Sequence, residues 1–203
     1  MVEPLDLDAR REAIASGDPS RAMPALVGLR ELPAEEAVPL LLLGLEQTTF
    51  MIRSLSCAGL GVKRSAEGRE ALVRALQHDE DPNVRAEAAN ALVSHGVTEA
   101  WPLLRRSFEA DDQWLVRCSI LSALAEQADM PDEHLLELAR LAIADADGTV
   151  RVGGAEILGR LVQHPAGSAD AEPAARARAL LVELQQDPDH RVVAAALNGL
   201  QPG

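Results

Sequence analysis

The chain has 203 residues and is acidic, with 32 Asp and Glu residues against 19 Lys and Arg residues and a net charge of −13. Such a charge disfavours non-specific binding to nucleic acid or to an anionic membrane surface, so we expect no nucleic-acid partner. Aromatic residues make up only 2% of the chain, whereas hydrophobic residues make up 47%. A core composed mostly of Leu, Ala and Val favours helices over strands, and the composition therefore predicts an all-α protein.

The N-terminal segment, residues 1–17, lacks the apolar core of a signal peptide and is interpreted as a capping segment. The longest apolar run, "AVPLLLLGL" at residues 37–45, is too short to cross a bilayer. We therefore expect no membrane span and a cytoplasmic protein.

Arginine residues recur along the chain at a nearly constant spacing. Beginning at Arg21, the intervals are 32, 32, 32, 34 and 40 residues, and they end at Arg53, Arg85, Arg117, Arg151 and Arg191. Acidic turns precede several of these arginines, at residues 78–82, 109–113, 144–148 and 186–190. Self-similarity at this period indicates an α-solenoid.

Each repeat predicts a pair of helices, here called helix A and helix B. Helix A follows the acidic turn, which supplies an Asp as N-cap and, in the clearest repeat, a Pro in the first turn. In that repeat helix A covers residues 82–94, with Glu87 and Asn90 facing outward, and helix B covers 98–109. Other B helices are predicted at residues 34–46, 66–77, 131–144 and 171–186, with a surface loop at 164–173.

Neither helix of a pair can bury its apolar face alone, so the pairs must stack. The sequence thus predicts a single repeat domain over residues 1–203. The capping segment 1–17 is followed by about five helix pairs over residues 18–186 and a terminal half repeat over 187–203.

The segment "DPNVRAEAANAL", residues 81–92, resembles the D-P-x-V-R-x-x-A-x-x-A-L signature of HEAT repeats. It is still more similar to the HEAT-like repeats of the phycobilisome lyase family, and the resemblance extends over the chain from about Asp18. It implies a right-handed α-solenoid of stacked antiparallel helix pairs. Proteins of this repeat class include bilin lyase subunits, phycobilisome-degradation proteins, an iron–sulfur carrier-associated protein, a di-iron hydroxylase and DNA glycosylases.

The repeated Asp and Arg residues are interpreted as structural, and we assign no catalytic residue. An Asp at the start of helix A caps that helix, and the Arg reaches a carboxylate of a neighbouring repeat or the carbonyls at a helix end. The five His residues show no metal-ligand spacing, and none is followed by Glu as in the di-iron hydroxylase, so no metal is expected. Cys57 and Cys118 replace small apolar residues of other repeats and are interpreted as structural thiols without a disulfide.

Several residues are candidates for contact with a partner. Trp114 stands before helix A of its repeat, where the preceding repeat has Pro82, and packing does not require an indole there. The B helices should line the concave side, where Arg74, Arg105 and Arg140 point outward among mixed charges.

The acidic turns would stack along one edge and favour a partner with a basic patch. In the last helix, Val193, Leu197 and Leu200 should remain exposed, which predicts a homodimer or partner interface at that end.

These observations favour a non-enzymatic protein-binding scaffold or adaptor without a cofactor. The family resemblance implies a phycobiliprotein-related role in a cyanobacterium. The alternative is a subunit of a bilin lyase or a chromophore-handling chaperone acting on phycobiliproteins, which would bind a bilin. A DNA glycosylase is opposed by the net charge of −13.

Overall fold

The computed structural model describes residues 7–164 and 172–201. These residues form twelve α-helices, two short 3₁₀ segments at Gly28–Glu31 and Leu184–Gln186, and no strand. The prediction of an all-α fold is thus confirmed. Residues 1–6 of the predicted capping segment and residues 165–171 of the predicted loop lie outside the described residues.

The helices follow the predicted succession of A and B elements, preceded by one N-terminal helix. They are α1 (Leu7–Ala15), α2 (Pro19–Val27), α3 (Ala34–Leu45), α4 (Phe50–Val62), α5 (Ala66–His78), α6 (Pro82–Val93), α7 (Val97–Ala110), α8 (Trp114–Ala125), α9 (Asp132–Ile143), α10 (Gly148–Gln163), α11 (Glu172–Glu183) and α12 (His190–Gly199). The A helices are the even-numbered elements from α2 to α12, and the B helices are the odd-numbered elements from α3 to α11.

Local sequence signals explain where these helices begin and end. Asp81 caps α6 and Pro82 occupies its first turn, where a missing N–H costs nothing, so the predicted start at residue 82 is correct. Gly96, which follows α6, has a φ of +134°, a value that side-chain-bearing residues rarely adopt. For α7 and α9, the predicted boundaries differ from the observed ones by one residue at each end.

The chain divides into two compact units, Met1–Ser107 and Phe108–Gly203, and the boundary falls within α7. The assignment of one continuous repeat domain stays a prediction. In the first unit α4 is central and packs against α2, α3, α5 and α6. Its Ile52 and Leu60 are fully buried, and burial of such a side chain contributes about 1.5–3 kcal/mol.

In the second unit α10 is central and packs against α8, α9, α11 and α12. Val150 and Leu158 of α10 are fully buried. Gly159 of α10 and Gly199 of α12 face each other so closely that a Cβ added at Gly159 would lie 2.8 Å from the Cα of Gly199. Two glycines therefore permit the close approach of these two helices.

Among the described helices, none combines the length and the apolar character that a membrane crossing requires.

Candidate protein-binding site

Aspartate side chains cap four of the A helices, in the role that the sequence predicted. The carboxylate of Asp147 accepts hydrogen bonds from the backbone N–H groups of Thr149, at 2.7 Å, and Val150, at 3.4 Å. Such a cap contributes about 0.5–2 kcal/mol to stability. The equivalent caps are Asp18, Asp81 and Asp189.

Arginine side chains connect each acidic turn to the next one in the sequence. Arg117 donates two hydrogen bonds to the carboxylate of Asp145, from Nε to Oδ2 at 2.6 Å and from Nη2 to Oδ1 at 2.9 Å. Its Nη1 donates to the carbonyl of Asp111 in its own turn, at 2.8 Å. We call this arrangement the arginine ladder, and its described pairs are Arg53–Asp79, Arg117–Asp145 and Arg151–Asp187.

The same ladder carboxylates also organise the turns in which they lie. Asp145 accepts a hydrogen bond from the backbone N–H of Asp147 at 2.8 Å, in addition to those from Arg117. Each complete turn therefore uses two carboxylates, one in the ladder and one as the helix cap. Among the carboxylates of the described acidic turns at residues 79–81, 111–112, 145–147 and 187–189, only Glu80 and Asp112 are exposed. The preference for a partner with a basic patch stays a prediction.

The thiols and histidines also lack the features of a reactive centre. Cys57 is buried, and burial raises the pKa of its thiol to about 12, so it stays protonated near neutral pH. Cys118 is half-buried with a pKa also raised by burial, and both cysteines are free thiols. His95 lies with Nε2 3.0 Å from the carbonyl oxygen of Leu60. Within residues 7–164 and 172–201, no group of three or more His, Cys, Asp or Glu could hold a metal ion.

The sequence-predicted contact residues are dispersed over several elements. Trp114, the first residue of α8, is 48% exposed, and Leu197 of α12 is 46% exposed. Val193 and Leu200 are half-buried, so the apolar face expected at that end is smaller than predicted. Of the three arginines, Arg74 and Arg140 are exposed and Arg105 is half-buried. Arg140 lines a surface cavity between α9 and α11, but none of the other six candidates lines it.

An apolar surface that the sequence analysis missed lies on α4. Its outer face consists of Met51, Leu55, Ala58 and Val62, which follow one another at helical spacing. Val62 is 59% exposed. At the equivalent positions α6 and its C-cap carry Asn83, Glu87, Asn90 and Ser94, and α8 and its C-cap carry Leu115, Ser119, Ser122 and Glu126. Packing of an A helix in this fold therefore does not require four apolar residues on this face.

A cavity of about 240 Å³ lies between this face of α4 and the end of α2. Leu55, Ala58 and Val62 line it from α4, and Val27, 61% exposed, lines it from α2. Its remaining apolar lining consists of Leu26, Leu29, Leu41 and Gly59. We call this cavity, together with the outer face of α4 and Val27, the outer groove.

The charged residues at the outer groove are basic. Arg30 and Lys63 line the cavity, and among the described residues no acidic one does. The ammonium group of Lys63 donates to the carbonyls of Arg30, at 2.8 Å, and Leu32, at 2.5 Å, which fixes it at the rim. Arg10 lies against Gly28 and donates to the carbonyl of Ala25 at 3.0 Å. The groove is therefore locally basic in a chain whose net charge is −13.

An exposed apolar patch with a polar rim is the ordinary mark of an interaction site. The sequence signal for it was visible, because residues 51, 55, 58 and 62 stand at the same offsets from Arg53 as the polar residues 83, 87, 90 and 94 do from Arg85. The inward positions of α4 are also largely apolar, so composition alone did not distinguish its two faces.

Comparison with known proteins identifies the repeat type. The family model described as HEAT repeats matches residues 38–125. No curated protein matches the sequence. The fold is similar to that of an engineered protein solved by the Northeast Structural Genomics Consortium, with 20% identity, a TM-score of 0.60, and coverage of 97% of this chain and 96% of the other.

Two natural proteins are also similar. Human deoxyhypusine hydroxylase, solved in complex with glycerol, has 17% identity and a TM-score of 0.50, over 96% of this chain and 94% of the other. The complex of CpcE and CpcF of phycocyanin lyase from Nostoc sp. PCC7120 has 23% identity and a TM-score of 0.42, over 97% and 100%. Because these identities are below 25%, the similarity to the engineered protein and to deoxyhypusine hydroxylase shows the fold alone. The described residues thus form an all-α fold, and residues 38–125 match HEAT repeats, as the sequence predicted.

Proposed function

We propose that this chain is a non-enzymatic protein-binding module, a scaffold or adaptor, that engages its partner through the outer groove. The observation that carries this proposal is the exposed apolar face of α4 at positions where α6 is polar. Removing apolar surface from water contributes about 25 cal/mol per Å². A partner that covers this face would therefore stabilise the complex.

The chemistry of the recurring polar residues supports a binding role over a catalytic one. General acid–base catalysis requires titratable groups that are accessible and poised near the working pH. The ladder carboxylates are held by arginines, as Asp187 is by Arg151, and this contact lowers the pKa of Asp187. The thiol of Cys57 is buried, with its pKa raised to about 12. The ladder carboxylates and the buried thiol therefore have structural roles in the repeats.

Photo-cross-linking tests the proposal directly. A benzoyl-phenylalanine residue placed at Leu55 should cross-link a defined protein in a lysate of the source cells. The matched control places the same residue at Ser119, which occupies the equivalent position of α8. If both positions capture the same proteins, or if Leu55 captures none, the groove is not a protein-binding site.

Finer functions remain proposals that rest on the family resemblance. They are a phycobiliprotein-related adaptor in the cytoplasm of a cyanobacterium and, as the alternative, a bilin lyase subunit or chromophore-handling chaperone. The alternative is tested by mixing the purified chain with a bilin and recording visible absorbance. The outer-groove cavity of about 240 Å³ is smaller than the roughly 300–1,000 Å³ of typical small-molecule pockets, which favours a protein side chain over a bilin at this groove.

A homodimer through α12 is a separate proposal, supported by the exposed side chain of Leu197. It predicts that Leu197→Glu shifts the sedimenting mass from dimer to monomer. Trp114, Arg74, Arg105 and Arg140 stay candidate contacts for a partner outside the groove.

A further inference from the structure

We infer that the outer groove takes an acidic amphipathic α-helix of the partner protein, with one large apolar side chain in the cavity and carboxylates beside Arg30 and Lys63. This inference rests on the proposed function and adds the chemistry of the partner. It follows from the length of the apolar face, the volume of the cavity and the sign of the charges at its rim.

The length of the apolar face fits a short helix. Met51 and Val62 are eleven residues apart on one face of α4, and at 1.5 Å per residue this stretch is about 16 Å long, or three helical turns. Because α2 packs against α4, the two A helices form a groove into which a third helix can lay its apolar side.

The volume of the cavity indicates an inserted side chain instead of a whole cofactor. Its 240 Å³ is open to solvent on one side and is bounded mainly by the end of α2 and the outer face of α4. Interfaces of this kind concentrate binding energy in one or two large apolar anchors that fill such a pocket, with less important contacts around them. A partner helix would therefore carry a Leu, Phe or Trp opposite Ala58.

The charges at the rim select an acidic partner. Lys63 and the exposed guanidinium of Arg30 line the cavity, whereas Arg53 of α4 is buried, is paired with Asp79 and adds no free charge to the rim. The guanidinium group of Arg30 makes no ion pair or hydrogen bond with any described residue; Lys63 contacts only the backbone carbonyl of Arg30. The net charge of −13 repels an acidic helix at long range, but salt screens that repulsion beyond about 8–10 Å under physiological conditions, whereas the rim contacts act at hydrogen-bond distance.

Selection from a peptide library tests the inference with the complete chain. A phage-displayed library of 16-residue helical peptides is panned against it, and selected peptides are labelled with fluorescein and titrated by anisotropy. We expect enrichment of Leu, Phe or Trp at helical spacing together with Asp or Glu. Enrichment of Lys and Arg would overturn the inference.

Variants of the chain then locate the bound peptides. Ala58→Glu places a carboxylate in the apolar cavity and should weaken binding at least about 30-fold. The matched control is Ser122→Glu, at the equivalent position of α8, which should change the affinity less than twofold. Val62→Glu serves as a second groove variant, because Val62 is 59% exposed and a charge there leaves the core intact. Affinity that neither groove variant lowers would overturn the inference.

Charge reversal measures the electrostatic contribution to peptide binding. Arg30→Glu should lower the affinity of an acidic peptide about fivefold, and replacing the carboxylates of that peptide with Lys should restore it. If the chain self-associates and Val62→Glu abolishes that association, the groove binds a second copy of the chain. If added oleate displaces every selected peptide, the groove binds an amphiphile. Either result contradicts the inference. A partner cross-linked from Leu55, together with basic selected peptides, would leave the proposed function standing and remove only the acidic helix.

Discussion

Arg151 and Asp187 lie 36 residues apart in the sequence, yet their side chains form a two-point ion pair. Nε donates to Oδ2 at 2.9 Å and Nη2 donates to Oδ1 at 3.0 Å. The side chains are only 14% and 8% exposed. Loss of one partner would therefore leave the other charge nearly buried and without compensation, which is the costly way to disrupt an ion pair.

Arg151→Ala should lower the free energy of unfolding by about 2–4 kcal/mol, because it isolates the Asp187 carboxylate and frees two backbone carbonyls. Urea unfolding followed by circular dichroism measures this change. Arg191→Ala is the matched control. Arg191 lies two residues after the cap Asp189, not four as Arg151 does after Asp147, and its side chain is 55% exposed and pairs with Asp189 of its own turn. We therefore expect a much smaller loss in this variant. Equal losses in the two variants would show that the ladder does not stabilise the repeats.

The stability of the chain should fall when the solution is acidified. The hydrogen bond from Arg151 lowers the pKa of Asp187, and that from Arg191 lowers the pKa of Asp189 to about 2. A carboxyl group with a lowered pKa in the folded state contributes stability that is present above its unfolded pKa, about 3.9, and is lost as the pH falls through the folded value.

Urea midpoints measured between pH 5 and pH 2 should therefore decrease. Asp187→Asn should be less stable at pH 7 and show a shallower decrease over the same range. A variant curve parallel to that of the wild type would mean that Asp187 does not contribute to the acid sensitivity.

Gly159→Ala should destabilise the second unit, because the new methyl group would lie 2.8 Å from the Cα of Gly199, a backbone atom that cannot move aside cheaply. We expect a loss of about 1–3 kcal/mol from overpacking. Gly153→Ala, on the same helix, meets only the end of the Leu121 side chain at 3.0 Å. Helix propensity favours that substitution by up to about 1 kcal/mol, so its thermal midpoint should be unchanged or higher. If both variants lose stability equally, close approach of α10 and α12 is not the reason for Gly159.

The two cysteines should react at different rates with a thiol reagent. Cys57 is fully buried with a pKa of about 12, so we expect its modification to require unfolding. Cys118 is half-buried and should react slowly in the folded protein. Mass spectrometry of the chain incubated with iodoacetamide, with and without urea, identifies the modified residue. Rapid alkylation of Cys57 without urea would show that α4 opens readily.

The repeat and its helices could be predicted because capping and periodicity are local properties of the sequence. Asp81 and Pro82 mark the start of α6, and the regular spacing of the arginines marks each A helix. That an Arg would reach a neighbouring carboxylate was also predicted. The sequence did not distinguish which Asp of each turn would be that partner. In the folded turn Asp145 accepts from Arg117, whereas Asp147 accepts from the N–H of Thr149, and both are aspartates of the same short segment.

The outer groove was less predictable, because it depends on which side of α4 meets other helices. Ile52 and Leu60 are buried, whereas Met51 and Val62 are exposed, and all four are apolar. A helix that is apolar on both sides is typical of a fully buried element, so its sequence alone does not reveal an exposed face. The basic rim depends likewise on the meeting of Arg30 and Lys63, which are distant in the sequence.

The arginine ladder also indicates where this architecture accepts additional chain. Arg117 and Asp145 are 28 residues apart and Arg151 and Asp187 are 36 apart, yet the Nε–Oδ2 distances are 2.6 and 2.9 Å. Half of the eight extra residues lie in α10, which extends twelve residues past Arg151, whereas α8 extends eight residues past Arg117. Length can thus vary within a helix pair, whereas Asp145 and Arg151 keep the six-residue spacing of Asp111 and Arg117 across the turn between pairs. For engineering, the C-terminal end of an A helix is a position where residues can be added, and the acidic turns are the segments to leave unaltered.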